Sequence, residues 1–290
     1  MDPLSTFAAG AAIGGVAGKL MEKVCDYGLN WLRDRFEEHS PEVQRKVQQN
    51  TQEFVNELAN KIKAIEEKIS ETENRTKIEI AFEDPAFWLL IKEALLSSAQ
   101  TESREKHKIL ARIISERLHS EPESLLALTS NLACKAVASL TPKQLKILAL
   151  IELIHSIRPA LPKVPSPRRE QWYIKWLREE LSFLLPMGEI ASLDLLHLES
   201  LSCVSISAVS YSLEFILCPE VRDRTSRPYG EFSDAFKTFA EADPLGKEIK
   251  QLWDRQHLAS VKPTTLGKLI GICVHDELTN TVTSLEGWKP

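Results

Sequence analysis

Glycine and net positive charge are both scarce in this chain. Only 11 of its 290 residues are glycine, and the formal net charge is -5 at pH 7. The negative balance argues against a general affinity for nucleic acid, because binding to phosphates depends on clustered Lys and Arg. Hydrophobic residues make up 43% of the chain and charged residues 27%, which is ordinary for a globular protein with a substantial core.

The spacing of the cysteines and the composition of the first residues predict neither a cysteine-pair motif nor a secretory leader. The chain has five cysteines, an odd number, and none of them forms a C-x-x-C pair. No basic segment precedes the first apolar run, and Asp2 with Pro3 predicts the start of a helix instead. The sequence therefore predicts reduced, mostly buried thiols in a cytoplasmic protein, at Cys25, Cys134, Cys203, Cys218 and Cys273.

The scarce glycines are concentrated in residues 7–20, where Gly10, Gly14 and Gly18 recur every four residues. In a helix these positions share one face and leave a groove into which a second helix can pack. The segment is about 21 Å long as a helix, shorter than the roughly 30 Å core of a bilayer. Three interpretations stay open: a tightly packed helix of a soluble bundle, a helix that inserts into a membrane or oligomerises on activation, and a signal-like anchor. The predicted contact residues are Phe7, Gly10, Ile13, Gly14, Val16 and Gly18.

The remainder of the chain predicts helices separated by prolines. We expect a glycine-rich N-terminal helical hairpin over residues 1–40 and a long amphipathic helix over residues 41–83. The dense charge on the polar face of this long helix indicates a face exposed to solvent. The alternative is that the helix forms a dimeric coiled coil. A helical bundle is predicted for residues 84–158, and a Pro-rich linker then marks a domain boundary. The fold class is thus mainly α, a multi-helix bundle.

Residues 159–290 predict a winged-helix-like C-terminal module. Two β-prone runs, residues 203–206 and 259–263, are followed by a closing helix that Thr264 or Thr265 would cap. A helix over residues 142–157 would be the first helix of the module. The predicted recognition helix, Ser192–Ser200, contains Asp194, His197 and Glu199 but no Lys or Arg. This favours contact with a protein rather than with DNA.

No motif of a known catalytic site occurs in the chain. Two Glu-x-x-His pairs, Glu116 with His119 and Glu152 with His155, form half of a di-iron site, which Glu79 or Glu93 would have to complete. Such pairs arise by chance in a Glu-rich chain, so we predict no metal, no cofactor and no enzymatic activity. The cluster His275-Asp276-Glu277 is predicted to be a solvated helix end.

The chain resembles two groups of proteins. Residues 1–20 are similar to the N-termini of HeLo-like cell-death domains, whose first helix inserts into membranes. Residues 84–157 and the T-x-L-G-x-L-I-G tail resemble bacterial helical proteins of the Abi-alpha type, associated with abortive infection. This second resemblance implies no catalytic residues. Its matching positions are Leu95, Leu96, Ala99, His107, Lys108, Leu140, Thr141, Pro142, Ile147, Leu148, Thr265, Gly267 and Gly271.

From the residues and the resemblance together we expect a non-enzymatic bacterial defence effector of the abortive-infection kind. Its N-terminal helix would associate with or permeabilise the inner membrane once the C-terminal module senses a trigger. We expect self-association, a protein partner or phage trigger, no nucleic-acid partner, and a cytoplasmic protein that reaches the inner membrane on activation. The alternatives are a soluble helical scaffold or regulatory interaction module and, as an enzyme, a di-iron helical oxidase.

Overall fold

A computed structural model describes residues 16–67, 80–118, 120–159, 166–217, 234–255 and 257–285. Helices dominate these residues and strands are few, which confirms the predicted mainly α, multi-helix fold. Contacts divide the chain into two compact units. Unit 1 comprises Met1–Ser139 with Ser284–Pro290, and unit 2 comprises Leu140–Thr283.

The helices of unit 1 follow one another along the first half of the chain. They are α1 (Val16–Lys23), a π-helical segment (Val24–Leu29), α2 (Asn30–Phe36), α3 (Pro41–Glu66), α4 (Pro85–Ala99), α5 (Arg104–Arg117) and α6 (Leu125–Ser139).

The long helix α3 forms where the spacing of apolar residues predicts it. Ser40 caps its N-terminus and Pro41 occupies the first turn, where a missing amide N–H has no cost. Its inward face packs against α5 and α4 and is formed by Val47, Thr51, Phe54, Leu58 and Ile62, all buried. The predicted extension through residues 68–79 lies outside the described residues.

The backbone stays helical from Val16 to Phe36, so the hairpin predicted over residues 1–40 has no turn within this described stretch. No proline interrupts this stretch, and Gly28 lies within the π-helical segment rather than at a helix end. Ser124 caps α6, since its Oγ accepts a hydrogen bond from Ala127 N at 3.2 Å. Glu123 has a positive φ of 62°, so the helix starts only after it.

The described part of unit 2 contains three longer helices, several shorter ones and a small sheet. They are α7 (Pro142–His155), α8 (Ser166–Leu184), α9 (Ser192–Ser200), β1 (Val204–Ile206), α10 (Leu213–Leu217), α11 (Asp234–Ala242), α12 (Pro244–Arg255), a 3₁₀ turn (Leu258–Ser260), β2 (Val261–Pro263) and α13 (Thr265–Thr279).

The packing of α7 against α13 forms the centre of unit 2. A capping box between Thr141 and Gln144 begins α7. The close approach of α13 depends on two glycines four residues apart. A Cβ on Gly267 would lie 1.8 Å from the Cys203 carbonyl oxygen, and one on Gly271 would lie 2.7 Å from the Leu148 carbonyl oxygen. A methyl group fits at neither position without movement of the backbone.

The two strands form the sheet that the C-terminal prediction requires. They pair antiparallel, with Val204 opposite Pro263 and Ile206 opposite Val261. Thr264 caps α13, because its Oγ1 accepts a hydrogen bond from Gly267 N at 3.2 Å. Thr264 is one of the two residues predicted as the cap. The strands and flanking helices occur in the predicted order, and the assignment to a winged helix stays a prediction.

The division between the units falls at Leu140, before α7, rather than at the Pro-rich stretch where the sequence placed a boundary. The division falls before α7 because this helix is buried within unit 2. Every residue of that helix from Gln144 to Ile154 except Lys146 is buried, and its partner is α13 of unit 2.

Candidate functional site

The glycine-rich segment predicted for membrane contact or self-association is described only from Val16, where α1 begins. Phe7, Gly10, Ile13 and Gly14 lie outside the described residues, so their predicted roles stay predictions. Val16 and Gly18 are in the first turn of α1. The structure therefore describes the C-terminal end of the glycine-rich segment and its attachment.

Apolar side chains hold this attachment in place. Leu20, Met21 and Val24 are buried, α1 packs against α3, and the π-helical segment packs against α4. At Gly28 the approach to α4 is so close that a Cβ would lie 2.5 Å from Leu95 Cδ1. We call Leu20, Met21 and Val24 the docking residues.

Cation–π contacts add to this attachment. Lys23 Nζ lies 5.2 Å from the ring centre of Phe82 and 6.0 Å from that of Trp88. Lys92 Nζ on α4 lies 5.5 Å from the ring of Trp31 on α2. Each such contact contributes about 0.5–1 kcal/mol at an exposed site, less than the burial of one docking residue.

The two Glu-x-x-His pairs do not come together as a metal site. Glu116, in unit 1, pairs with Arg112 at 2.8 Å, and His119 lies outside the described residues. Glu152 and His155 belong to unit 2, where the His155 ring packs on Trp253 with 5.9 Å between centroids. Of the two residues expected to complete the site, Glu79 is outside the described residues and Glu93 is half-buried on α4. Within the described part of the chain, no three His, Cys, Asp or Glu side chains are grouped to hold a metal ion.

A buried cluster of charged groups in unit 2 overturns the prediction that His275 and Asp276 form a solvated helix end. His275 is 2% exposed, and its Nε2 lies 3.0 Å from Glu180 Oε2 on α8. Asp276 is 3% exposed and accepts hydrogen bonds from Thr283 N at 2.8 Å and Thr283 Oγ1 at 2.7 Å. The chain after α13 folds back over the carboxylate. One signal could have revealed this burial, namely the apolar run Ile270–Val274 just before the cluster.

Burial and charge set the protonation of this cluster. Burial by itself lowers the pKa of His275, but the carboxylates of Asp276 and Glu180 outweigh it and the net direction is upward. Burial raises the pKa of Glu152 to about 7, and its Oε2 accepts no hydrogen bond from any described residue. Burial lowers the pKa of His155 to about 4. The Cys203 thiol is buried and its pKa rises to about 12, which makes it unreactive.

An open cleft of about 570 Å³ lies on unit 2 between α8 and the helices α11 and α12. Lys175 and Arg178 line one side, and Asp243 lines the other. Arg178 Nη2 lies 2.7 Å from Asp243 Oδ2 and Lys175 Nζ lies 3.9 Å from Glu179 Oε1, so each cation has a nearby carboxylate. The cleft therefore offers little unneutralised charge to an anionic ligand.

Exposed leucines form two surfaces that the sequence reading missed. On α6, Leu125, Leu128 and Leu132 are 51%, 61% and 56% exposed at helical spacing. On α9, Leu193 and Leu196 are 77% and 53% exposed. Grouped apolar side chains in water are typical of interaction surfaces. Helical periodicity could identify α6 and α9 as helices, but it could not say that these leucines face outward.

The polar residues of the predicted recognition helix are directed towards α7. Asp194 Oδ2 lies 2.8 Å from Lys143 Nζ, and His197 Nδ1 lies 3.1 Å from Gln144 Oε1. The exposed residues of α9 are two leucines, Glu199 and the serines at its ends. Such a surface has the character of a protein-binding site and lacks the cations that contact phosphates.

Comparison with known proteins identifies the chain only at the level of a family. A family model whose designation names no function matches residues 18–226, which is more than half of the chain, so the chain belongs to that family. The match begins within the glycine-rich segment, after Gly10 and Gly14. No curated protein and no solved structure matches the chain.

Proposed function

We propose that this member of a family of uncharacterised function is a non-enzymatic helical effector of bacterial defence, of the abortive-infection kind. Its N-terminal glycine-rich helix acts on the inner membrane after release from unit 1. The observation that supports this proposal is the attachment at α1, where three apolar side chains among the described residues are buried: Leu20 and Met21 on α1 and Val24 directly after it. Such an attachment can hold the helix at rest and still release it.

The strength of the attachment fits a helix that stays docked until a trigger releases it. Burial of Leu, Met or Val stabilises by about 1.5–3 kcal/mol each, so the three docking residues contribute roughly 5–9 kcal/mol. At about 1.4 kcal/mol per factor of ten, spontaneous release is rarer than about one molecule in a thousand. Only binding of a trigger that favours the released state makes release common.

The length of the segment indicates how it would act in a membrane. No helix in the described part of the chain is long and apolar enough to cross a bilayer. Residues 7–20 would span about 21 Å against a core of roughly 30 Å, so a single copy would have to thin the bilayer. Association through Gly10, Gly14 and Gly18 would let several copies pack closely, which fits permeabilisation by an oligomer.

A soluble scaffold is the second candidate, and one observation favours it. Gly267 and Gly271 have the same four-residue spacing as the N-terminal glycines. Gly271 lets α13 approach the backbone of α7, and Gly267 lets it approach the backbone of Cys203. Glycines at this spacing therefore serve close packing without a membrane at one place in this chain.

A paired measurement separates the two candidates. Gly14→Leu blocks close approach of glycine faces, so for the effector we expect loss of growth arrest and of liposome leakage with an unchanged thermal midpoint. For the scaffold we expect the wild-type protein to be harmless under every trigger. The free energy of unfolding of the Gly14→Leu variant should then be lower by about 1–3 kcal/mol.

A second variant tests the attachment. Leu20→Ser combined with Val24→Ser weakens docking, so leakage should increase without a trigger. Val47→Ser is the matched control, because it removes a buried side chain of α3 that packs in a separate cluster with Leu32 and Ala99. Equal leakage from both variants would mean that general loss of stability, rather than release of α1, causes the effect.

A further inference from the structure

Four residues of unit 2 form a continuous exposed surface, which we call the α9–β1 face: Leu193, Leu196, Glu199 and Ile206. Leu193, Leu196 and Glu199 follow one another at intervals of three along one side of α9. Ile206 N donates to Glu199 Oε1 at 3.0 Å, so β1 continues the surface. Leu193, Leu196 and Ile206 are 77%, 53% and 39% exposed.

Negative charge borders this face. Glu199 lies on it and Glu189 precedes α9; both are exposed, and neither has an ion-pair partner among the described residues. Lys143 Nζ contacts the backbone carbonyl oxygen of Glu189, but its charge is paired with Asp194 at 2.8 Å. An apolar stripe with uncompensated carboxylates complements a partner that carries an apolar stripe flanked by Lys or Arg.

We propose that the α9–β1 face binds a basic amphipathic helix of a partner protein. A helix fits this face because its leucines lie in a stripe at helical spacing. Apolar side chains at positions i, i+3 and i+4 of a partner helix can pack along such a stripe. Addition of a strand to β1 is disfavoured, because the Glu199 carboxylate already occupies the Ile206 N–H. This binding does not depend on any membrane action of the N-terminal segment.

Charge also argues against three other occupants. In a symmetric dimer the same face of a second copy would bring Glu189 and Glu199 against identical carboxylates. Nucleic acid and an anionic membrane surface would be repelled for the same reason. A cationic helix is the occupant that gains from the acidic border.

The experiment uses the full chain and two synthetic peptides of helical periodicity, one of Leu and Lys and one of Leu and Glu. Fluorescence anisotropy measures the affinity of each labelled peptide. We expect Leu193→Ser with Leu196→Ser to weaken binding of the Lys peptide by about tenfold or more. The matched control is Leu125→Ser with Leu128→Ser, which removes two equally exposed leucines from α6 and should leave binding unchanged.

Charge reversal gives an independent measurement. Glu189→Lys should weaken binding of the Lys peptide and strengthen binding of the Glu peptide. All substituted residues are exposed, so the thermal midpoint should not move. Equal binding of the two peptides by the wild type, or loss of binding only in the α6 control, would overturn the proposal. A wild-type dimer in sedimentation that dissociates in the Leu193, Leu196 variant would assign the face to a second copy instead.

Discussion

At the scale of single residues, Glu152 makes the stability of unit 2 depend on pH. The pKa of its carboxyl is about 7 in the folded chain, against an ordinary value of 4.5, because the side chain is buried. Between these two values the folded state holds a proton that the unfolded state has lost, so folding becomes less favourable as pH rises. His155 acts in the opposite direction, since its lowered pKa favours the folded state as pH rises from about 4 to 6.5.

Replacement of Glu152 by Gln isolates its contribution. The amide cannot ionise, so the variant should gain stability relative to the wild type as pH rises from 4.5 to about 7. The expected gain is about 1–3 kcal/mol, measured by urea unfolding at a series of pH values. Glu189→Gln is the control, because it makes the same substitution at an exposed position. A constant difference between Glu152→Gln and the wild type at every pH would contradict the prediction.

Residue types and spacing revealed little of this cluster. Glu152 stood out only as part of a Glu-x-x-His pair, and His275 with Asp276 looked like an exposed helix end. Their burial depends on Glu180, nearly a hundred positions earlier, and on Thr283, which folds back onto Asp276. Contacts between residues so far apart in sequence leave no periodic signal.

At the scale of helices and strands, the packing of α7 on α13 depends on glycine. A methyl group at Gly271 would lie 2.7 Å from the Leu148 carbonyl oxygen and 2.9 Å from Glu152 Cβ. We expect Gly271→Ala to lower the free energy of unfolding by about 1–3 kcal/mol, although Ala favours helices more than Gly does. Thermal unfolding measures the change, and Thr265→Ala at an exposed position of the same helix is the control. A more stable Gly271→Ala variant would mean that α13 can move away from α7 at little cost.

The existence of most helices and of both strands could be predicted from the sequence. Apolar spacing predicted α3, α7 and the bundle that contains α4 and α5, and short β-branched runs predicted β1 and β2. Proline in the first turn, preceded by a capping Ser, Asp or Thr, marks the beginnings of α3, α4 and α7. The beginning of α6 could not be located from the sequence because it depends on the positive φ of Glu123, a backbone conformation that Glu rarely adopts.

At the scale of the whole molecule, charge decides between nucleic acid and protein as a partner. The net charge is -5, and the outward face of α9 carries Glu199 but no cation. We expect no sub-micromolar binding of duplex DNA at physiological salt, because release of counterions from phosphates requires several Lys or Arg contacts. Fluorescence anisotropy across a salt series measures this, with polylysine as the positive control. Tight binding that weakens steeply with salt would show that a cationic surface exists elsewhere on the chain.

The pairing between α7 and α13 has a consequence for the chain while it is being synthesised. These helices form the centre of unit 2, yet residues 156–264 separate them in the chain. During translation α7 emerges with its apolar surface uncovered and stays so until α13 leaves the ribosome. Contacts between such distant segments also form slowly. Unit 2 is therefore most exposed to aggregation and proteolysis while it is being made, and a chain that terminates before Thr265 leaves α7 permanently without its partner.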